Sequence, residues 1–132
     1  MRSIVLTFLL LLSFDSMAGY FIHIERNTPI SLEEWQTVVG EEEFVRISDK
    51  DVVGVNPITK EEIKISMPKG SAEVYFPESE EWHPVFTFSR AIYFNAPNDW
   101  EQKDTYIRLL VFRLANKLNA KVIGDEGEEY FE

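Results

Sequence analysis

Asn98-Asp99-Trp100-Glu101-Gln102-Lys103-Asp104-Thr105-Tyr106-Ile107-Arg108-Leu109-Leu110-Val111-Phe112-Arg113-Leu114-Ala115-Asn116-Lys117-Leu118-Asn119 is the stretch with the clearest single period in the chain. Trp100, Ile107, Leu110, Val111, Leu114, Ala115 and Leu118 fall within one arc at about 100° per residue, the pattern of a helix lying on a core. Asn98 followed by Glu101 reads as a reciprocal N-terminal cap. Asp99 and Glu101 suit the positive end of the helix dipole, and Arg113 and Lys117 the negative end. Asn119 supplies a left-handed stop, so the spacing predicts a helix from Asn98 to Leu118. Leu109 and Phe112 project from the opposite side. Either a loop or the C-terminal tail covers them, or they form a contact patch for a partner or a second copy.

Downstream, Lys121-Val122-Ile123 reads as a short strand, Gly124-Asp125-Glu126-Gly127 as a turn, and Glu128 to Glu132 as an acidic tail. Upstream, the segment from Val85 to Phe94 alternates long enough to be one strand crossing a sheet, with Arg90 interrupting its apolar face. A buried guanidinium there requires a carboxylate or an anionic ligand. Before it, Ala72 to Phe76 alternates, and Pro77 to Pro84 reads as a polar loop holding Glu78, Glu80, Glu81, Trp82 and His83.

Val52-Val53-Gly54-Val55 and Glu62-Ile63-Lys64-Ile65-Ser66-Met67 flank the turn chemistry of Asn56-Pro57 and read as a hairpin. Phe44 to Ile47 forms a short strand. Ser31 and Glu34 make a capping box, with Ile30 and Trp35 as a hydrophobic staple, so a second helix starts there and stops near Gly40. Tyr20 to Arg26 alternates as an inner strand. The order strand, helix, several strands, helix, strand implies an α+β domain, with a mainly antiparallel sheet and two helices chiefly on one face.

At 132 residues the chain holds one domain, read as residues 19–132. Hydrophobic residues at 45% and aromatics at 14% place it among globular proteins despite 27% charged residues. A net charge of −10 argues against nucleic acid, whose phosphates need clustered lysine and arginine. The same charge can steer a basic protein partner. The lack of cysteine excludes disulfides, thiol catalysis and cysteine-ligated zinc.

Residues 1–18 carry Arg2, the apolar run Ile4 to Leu12 and Ser16-Met17-Ala18, the layout of a signal peptide cleaved after Ala18. The apolar run is too short to span a bilayer, and the mature chain has no integral span. The expected location is periplasmic or secreted. If translation starts instead at Met17, the location is cytoplasmic.

Gly19-Tyr20-Phe21-Ile22-His23-Ile24-Glu25-Arg26, the Ile30 to Trp35 helix start, Asn56-Pro57 with Thr59 and Glu61, and the closing Gly-Asp-Glu-Gly-Glu-Glu-Tyr together resemble a family of small uncharacterised bacterial proteins. The resemblance covers nearly all of the mature chain and implies no catalytic assignment.

No metalloprotease helix, nucleophile elbow or phosphate loop occurs, and no cofactor motif is present. The acidic residues from Asp125 to Glu129 do not follow the calcium-loop spacing, so no metal site is expected. These features favour a small acidic exported binding protein of the immunity or inhibitor type. Trp82, Leu109, Phe112, Tyr130 and Phe131 would be its anchors, and Asp125 and Glu126 its steering charges. The alternative is a small hydrolase or ligand-binding domain in which His23, Glu25 and Arg90 converge for acid–base work.

Overall fold

A computed structural model describes residues 19–132. The expected leader and the alternative start at Met17 lie outside the described residues. The chain runs β1 (Phe21–Glu25), α1 (Leu32–Gly40), β2 (Val45–Ile47), β3 (Val52–Val55), β4 (Glu62–Ile65), β5 (Ala72–Phe76), β6 (Glu81–Phe88), β7 (Ile92–Asn95), α2 (Tyr106–Lys117), β8 (Lys121–Gly124) and β9 (Glu129–Tyr130).

Seven strands form an antiparallel sheet in the order β2-β5-β6-β7-β1-β8-β9, while β3 and β4 pair only with each other. One face of the large sheet presents Val74, Phe86, Ile92, Phe94, Ile22, Ile24 and Val122, and both helices bury their apolar sides in the same core. The fold is therefore α+β with a mainly antiparallel sheet. Among the described residues no helix is long and apolar enough to cross a membrane.

The expected capping box closes α1: Ser31 Oγ accepts from Glu34 N at 3.1 Å and Glu34 Oε1 accepts from Ser31 N at 3.0 Å. Ile30 and Trp35 are both buried behind it. Trp35 meets Phe86 edge-on at 5.7 Å, and its Nε1 donates to Gly70 O at 2.7 Å. Burial of side chains this large stabilises by roughly 1.5–3 kcal/mol each before ordering entropy is subtracted. Gly70 sits at φ +81, and a Cβ there would meet Phe88 Cβ at 2.7 Å, so only glycine fits this corner.

Three expectations need correction. First, the long helix begins at Tyr106 with Thr105 as its N-cap, not at Asn98. Residues 98–105 are turns, held by Trp100 N donating to Pro97 O and Gln102 N to Asp99 O, each at 3.0 Å. In a continuous helix Trp100 would lie about 18 Å along the axis from Phe112. Folding back lets the two rings stack at 6.4 Å, which carries Trp100 into the core. Asn119 does adopt the left-handed stop, at φ 53.

Second, the segment from Val85 to Phe94 is not one strand. Ser89, Arg90 and Ala91 turn the chain between β6 and β7, with Arg90 at φ 65. Arg90 is exposed rather than buried, and its carbonyl accepts from Ile30 N at 2.9 Å.

Third, Trp82 and His83 lie on β6 rather than in a loop, because the β5–β6 turn takes only residues 77–80. The register of β5 against β6 shifts between Ala72↔Phe86 and Glu73↔Pro84. This bulge at Pro84-Val85 puts both His83 and Phe86 on the helix side, which simple alternation forbids.

Candidate functional site

The bulge also opens a cleft. From Thr87 onward β6 pairs with β7, but its earlier half pairs with β5 alone. Pro84 has no N–H to offer a ladder, and the sheet splits there. Phe76, Pro97, Tyr106 and Ile107 wall a cleft of about 550 Å³, with His83 inside it and Glu78, Ser79 and Asp99 at its rim. A smaller hollow of about 210 Å³ continues along Phe76, Pro97 and Ile107 towards Val85 and Asn95.

The walls are fixed by local contacts. Phe76 meets His83 at 5.4 Å and Tyr106 at 5.9 Å, both edge-on. Tyr106 OH donates to Tyr75 O at 2.6 Å, and burial pushes that hydroxyl's pKa up. His83 Nε2 lies 3.3 Å from Glu81 Oε1. Ser79 Oγ donates to Phe76 O at 3.5 Å, and no hydrogen bond joins it to His83 among the described residues. The cleft can seat an apolar group beside a positive one, because its charged lining residues are the carboxylates Glu78 and Asp99.

Leu109 is 53% exposed on α2. Phe112 is buried, in line with the alternative that a covering segment lies over it and not with its use as a partner anchor: the Trp100 ring stacks on it and the Arg108 guanidinium lies 5.4 Å from its ring. Trp82 lies half-buried on the outer sheet face, with Arg46 4.0 Å above its ring and Tyr75 5.5 Å away. Phe131 is exposed and Tyr130 is half-buried.

His23, Glu25 and Arg90 do not converge. His23 Nδ1 lies 3.1 Å from Glu25 Oε1, but Asp125 holds the other side, with Oδ1 3.2 Å from Nε2. A protonated ring donates to both carboxylates and a neutral ring to one. Arg90 sits in the β6–β7 turn and makes no ion pair among the described residues. Tyr93 packs on the imidazole at 4.6 Å. Asp125 also accepts from Phe21 N at 3.0 Å, so it ties β1 to the β8–β9 turn.

Glu128 is likewise structural. Its carboxylate accepts from Tyr20 OH, from Tyr130 OH at 2.9 Å and from Glu126 N at 3.1 Å. The Tyr20 hydroxyl in particular holds the Glu128 carboxyl below the usual range. Burial, then the Glu128 bond, pushes the Tyr130 hydroxyl up. Of the two acidic residues expected to steer a partner, Glu126 leaves its side chain in water while Asp125 is engaged in the fold. Among the described residues no group of three or more His, Asp or Glu side chains is placed to hold a metal ion.

Sequence reasoning missed Arg108. It is 4% exposed, donates from Nη1 to Trp100 O at 2.7 Å and from Nη2 to Phe131 O at 3.0 Å, and lies 4.7 Å from the Trp100 ring. Its Nε has no protein partner. The guanidinium clamps the 98–105 turns and the tail onto α2, using carbonyls and aromatic faces in place of a carboxylate. The available signal was its i, i+4 spacing to Phe112, which sends both side chains under whatever covers that face. The chain matches no protein-family model, no curated protein and no solved structure.

Proposed function

We propose that this is a small acidic binding protein, exported from the cytoplasm, which acts by occupying a basic protein partner in the manner of an immunity or inhibitor protein. The observation that carries this reading is the cleft of about 550 Å³, whose walls are apolar and aromatic and whose rim charges are carboxylates. An apolar anchor flanked by lysine or arginine complements it in shape and sign. Tyr106, which lines the cleft, is partly exposed, and the net charge of −10 would speed encounter with such a partner.

The test is affinity capture of envelope proteins at low salt with the wild-type chain and with the double variant Glu78→Lys, Asp99→Lys. A basic protein retained by the first, released from it by added salt and not retained by the second supports the proposal. Retention of no protein, or equal retention by both chains, overturns it.

A further inference from the structure

The hairpin β3–β4 leaves its aliphatic residues in water. Val52, Val53, Val55, Ile58, Ile63 and Ile65 are between 47% and 87% exposed, and the two strands form a sheet of their own. An isolated two-stranded hairpin is marginal in water, whereas three or more strands sustain one another. We propose that this hairpin is the seat of a symmetric homodimer, in which the β4 strands of two copies pair antiparallel about Ile63 to make a four-stranded sheet.

Charge decides where copies of so acidic a chain can meet. The whole chain carries −10, so two copies repel over most approaches. From Asp49 to Lys69, however, Asp49, Asp51, Glu61 and Glu62 are balanced by Lys50, Lys60, Lys64 and Lys69. The hairpin is thus neutral, and its apolar surface can be approached without that repulsion.

Backbone parity then selects the edge and the register. Asn56 N donates to Glu61 O at 2.8 Å, and the ladder continues through Val55↔Glu62, Gly54↔Ile63, Val53↔Lys64 and Val52↔Ile65. Hydrogen-bonded and non-bonded pairs alternate along an antiparallel ladder. Glu61, Ile63 and Ile65 therefore turn their backbone groups towards β3. Glu62 and Lys64 turn theirs outward, to the open edge.

A two-fold axis through Ile63 sets Glu62 of each copy opposite Lys64 of the other, both as hydrogen-bonded pairs. Ile63 meets its own counterpart in the closer non-bonded pair. Axes through residue 62 or 64 would oppose like charges directly, which destabilises a ladder. In the single chain Lys64 reaches Asp51 at 3.3 Å, an exposed pair that competes weakly.

The register is testable by charge reversal, with light scattering at about 0.1 mM protein, a concentration that fills a dimer of micromolar Kd. The full wild-type chain is expected at twice the monomer mass given by mass spectrometry. Glu62→Lys alone and Lys64→Glu alone are expected at the monomer mass, and the double reversal Glu62→Lys, Lys64→Glu at the dimer mass again. Thermal unfolding followed by circular dichroism reports whether each variant keeps its fold. A monomeric wild type, dimeric single variants, or a folded double variant that stays monomeric would each overturn the proposal.

Discussion

Two hairpins, β3–β4 and β5–β6, are built from similar apolar residues and meet opposite fates. Val74 and Phe86 of the second are at most 2% exposed beneath the helices. Ile63 and Ile65 of the first stand about half in water. Hydrophobic content made both into hairpins without deciding which joined the core. What distinguishes them is the corner at Gly70, where Trp35 Nε1 and Asp49 Oδ2 hold the backbone and deliver β5 beneath α1. Among the described residues β3–β4 has no equivalent hydrogen-bonded tether to a helix, and its two strands pair only with each other.

The sharpest way to break that contrast is Trp35→Ala. It should cost about 3–5 kcal/mol in urea unfolding, the range for large aromatic truncations; a loss below about 1 kcal/mol would mean that α1 does not anchor β5. Gly70→Ala comes next. The Cβ would press on Phe88 and Leu32 at a positive φ, so a loss of about 1–3 kcal/mol is expected from strain and overpacking. An unchanged Tm would remove the corner from the explanation.

A smaller effect comes from the ion pair that ties α1's end to α2. Arg113 holds the Glu42 carboxyl below its ordinary range, helped by Lys117. A depressed folded pKa contributes stability that is present above the unfolded value of roughly 4.3 and is lost as pH falls through the folded value. Glu42→Gln should therefore cost about 1 kcal/mol at neutral pH, kept small because Arg113 is half in water, and the gap from wild type should close on acidification. A gap that widens towards pH 3 would contradict the sign. Least of all, Ile58→Ala at the exposed tip of β3–β4 should change stability by under about 0.5 kcal/mol. A loss comparable to Gly70→Ala would show that this hairpin is packed after all.

Much of this fold was legible wherever the determining contacts are local. Ser31 and Glu34 cap α1 within one turn, Asn56 Oδ1 accepts from Ile58 N and Thr59 N to shape the β3–β4 turn, and Asn119 ends α2. The misread stretches have distant causes. Trp100 leaves helical register to reach Phe112 and Tyr130, and Arg90 turns the chain without glycine while its carbonyl meets Ile30 N. The cleft was least legible, because Phe76, Pro97 and Tyr106 come together only where a bulged strand parts from its neighbour. The sequence marks His83 only as a loop residue, because Pro84 reads as the end of a loop and not as a bulge inside a strand.

The placement of β1 bears on when this chain can fold. It is the first strand of the described residues, yet it lies between β7 and β8, whose residues begin at Ile92 and Lys121. Until β7, α2 and β8 have been made, Ile22 and Ile24 have no ladder to join and no helix α2 to lie under. The central sheet therefore closes through contacts of long sequence separation, which makes folding slow relative to a helical chain of the same length. A strand whose partners follow so far behind it stays unpaired, and open to chaperones, while they are being made.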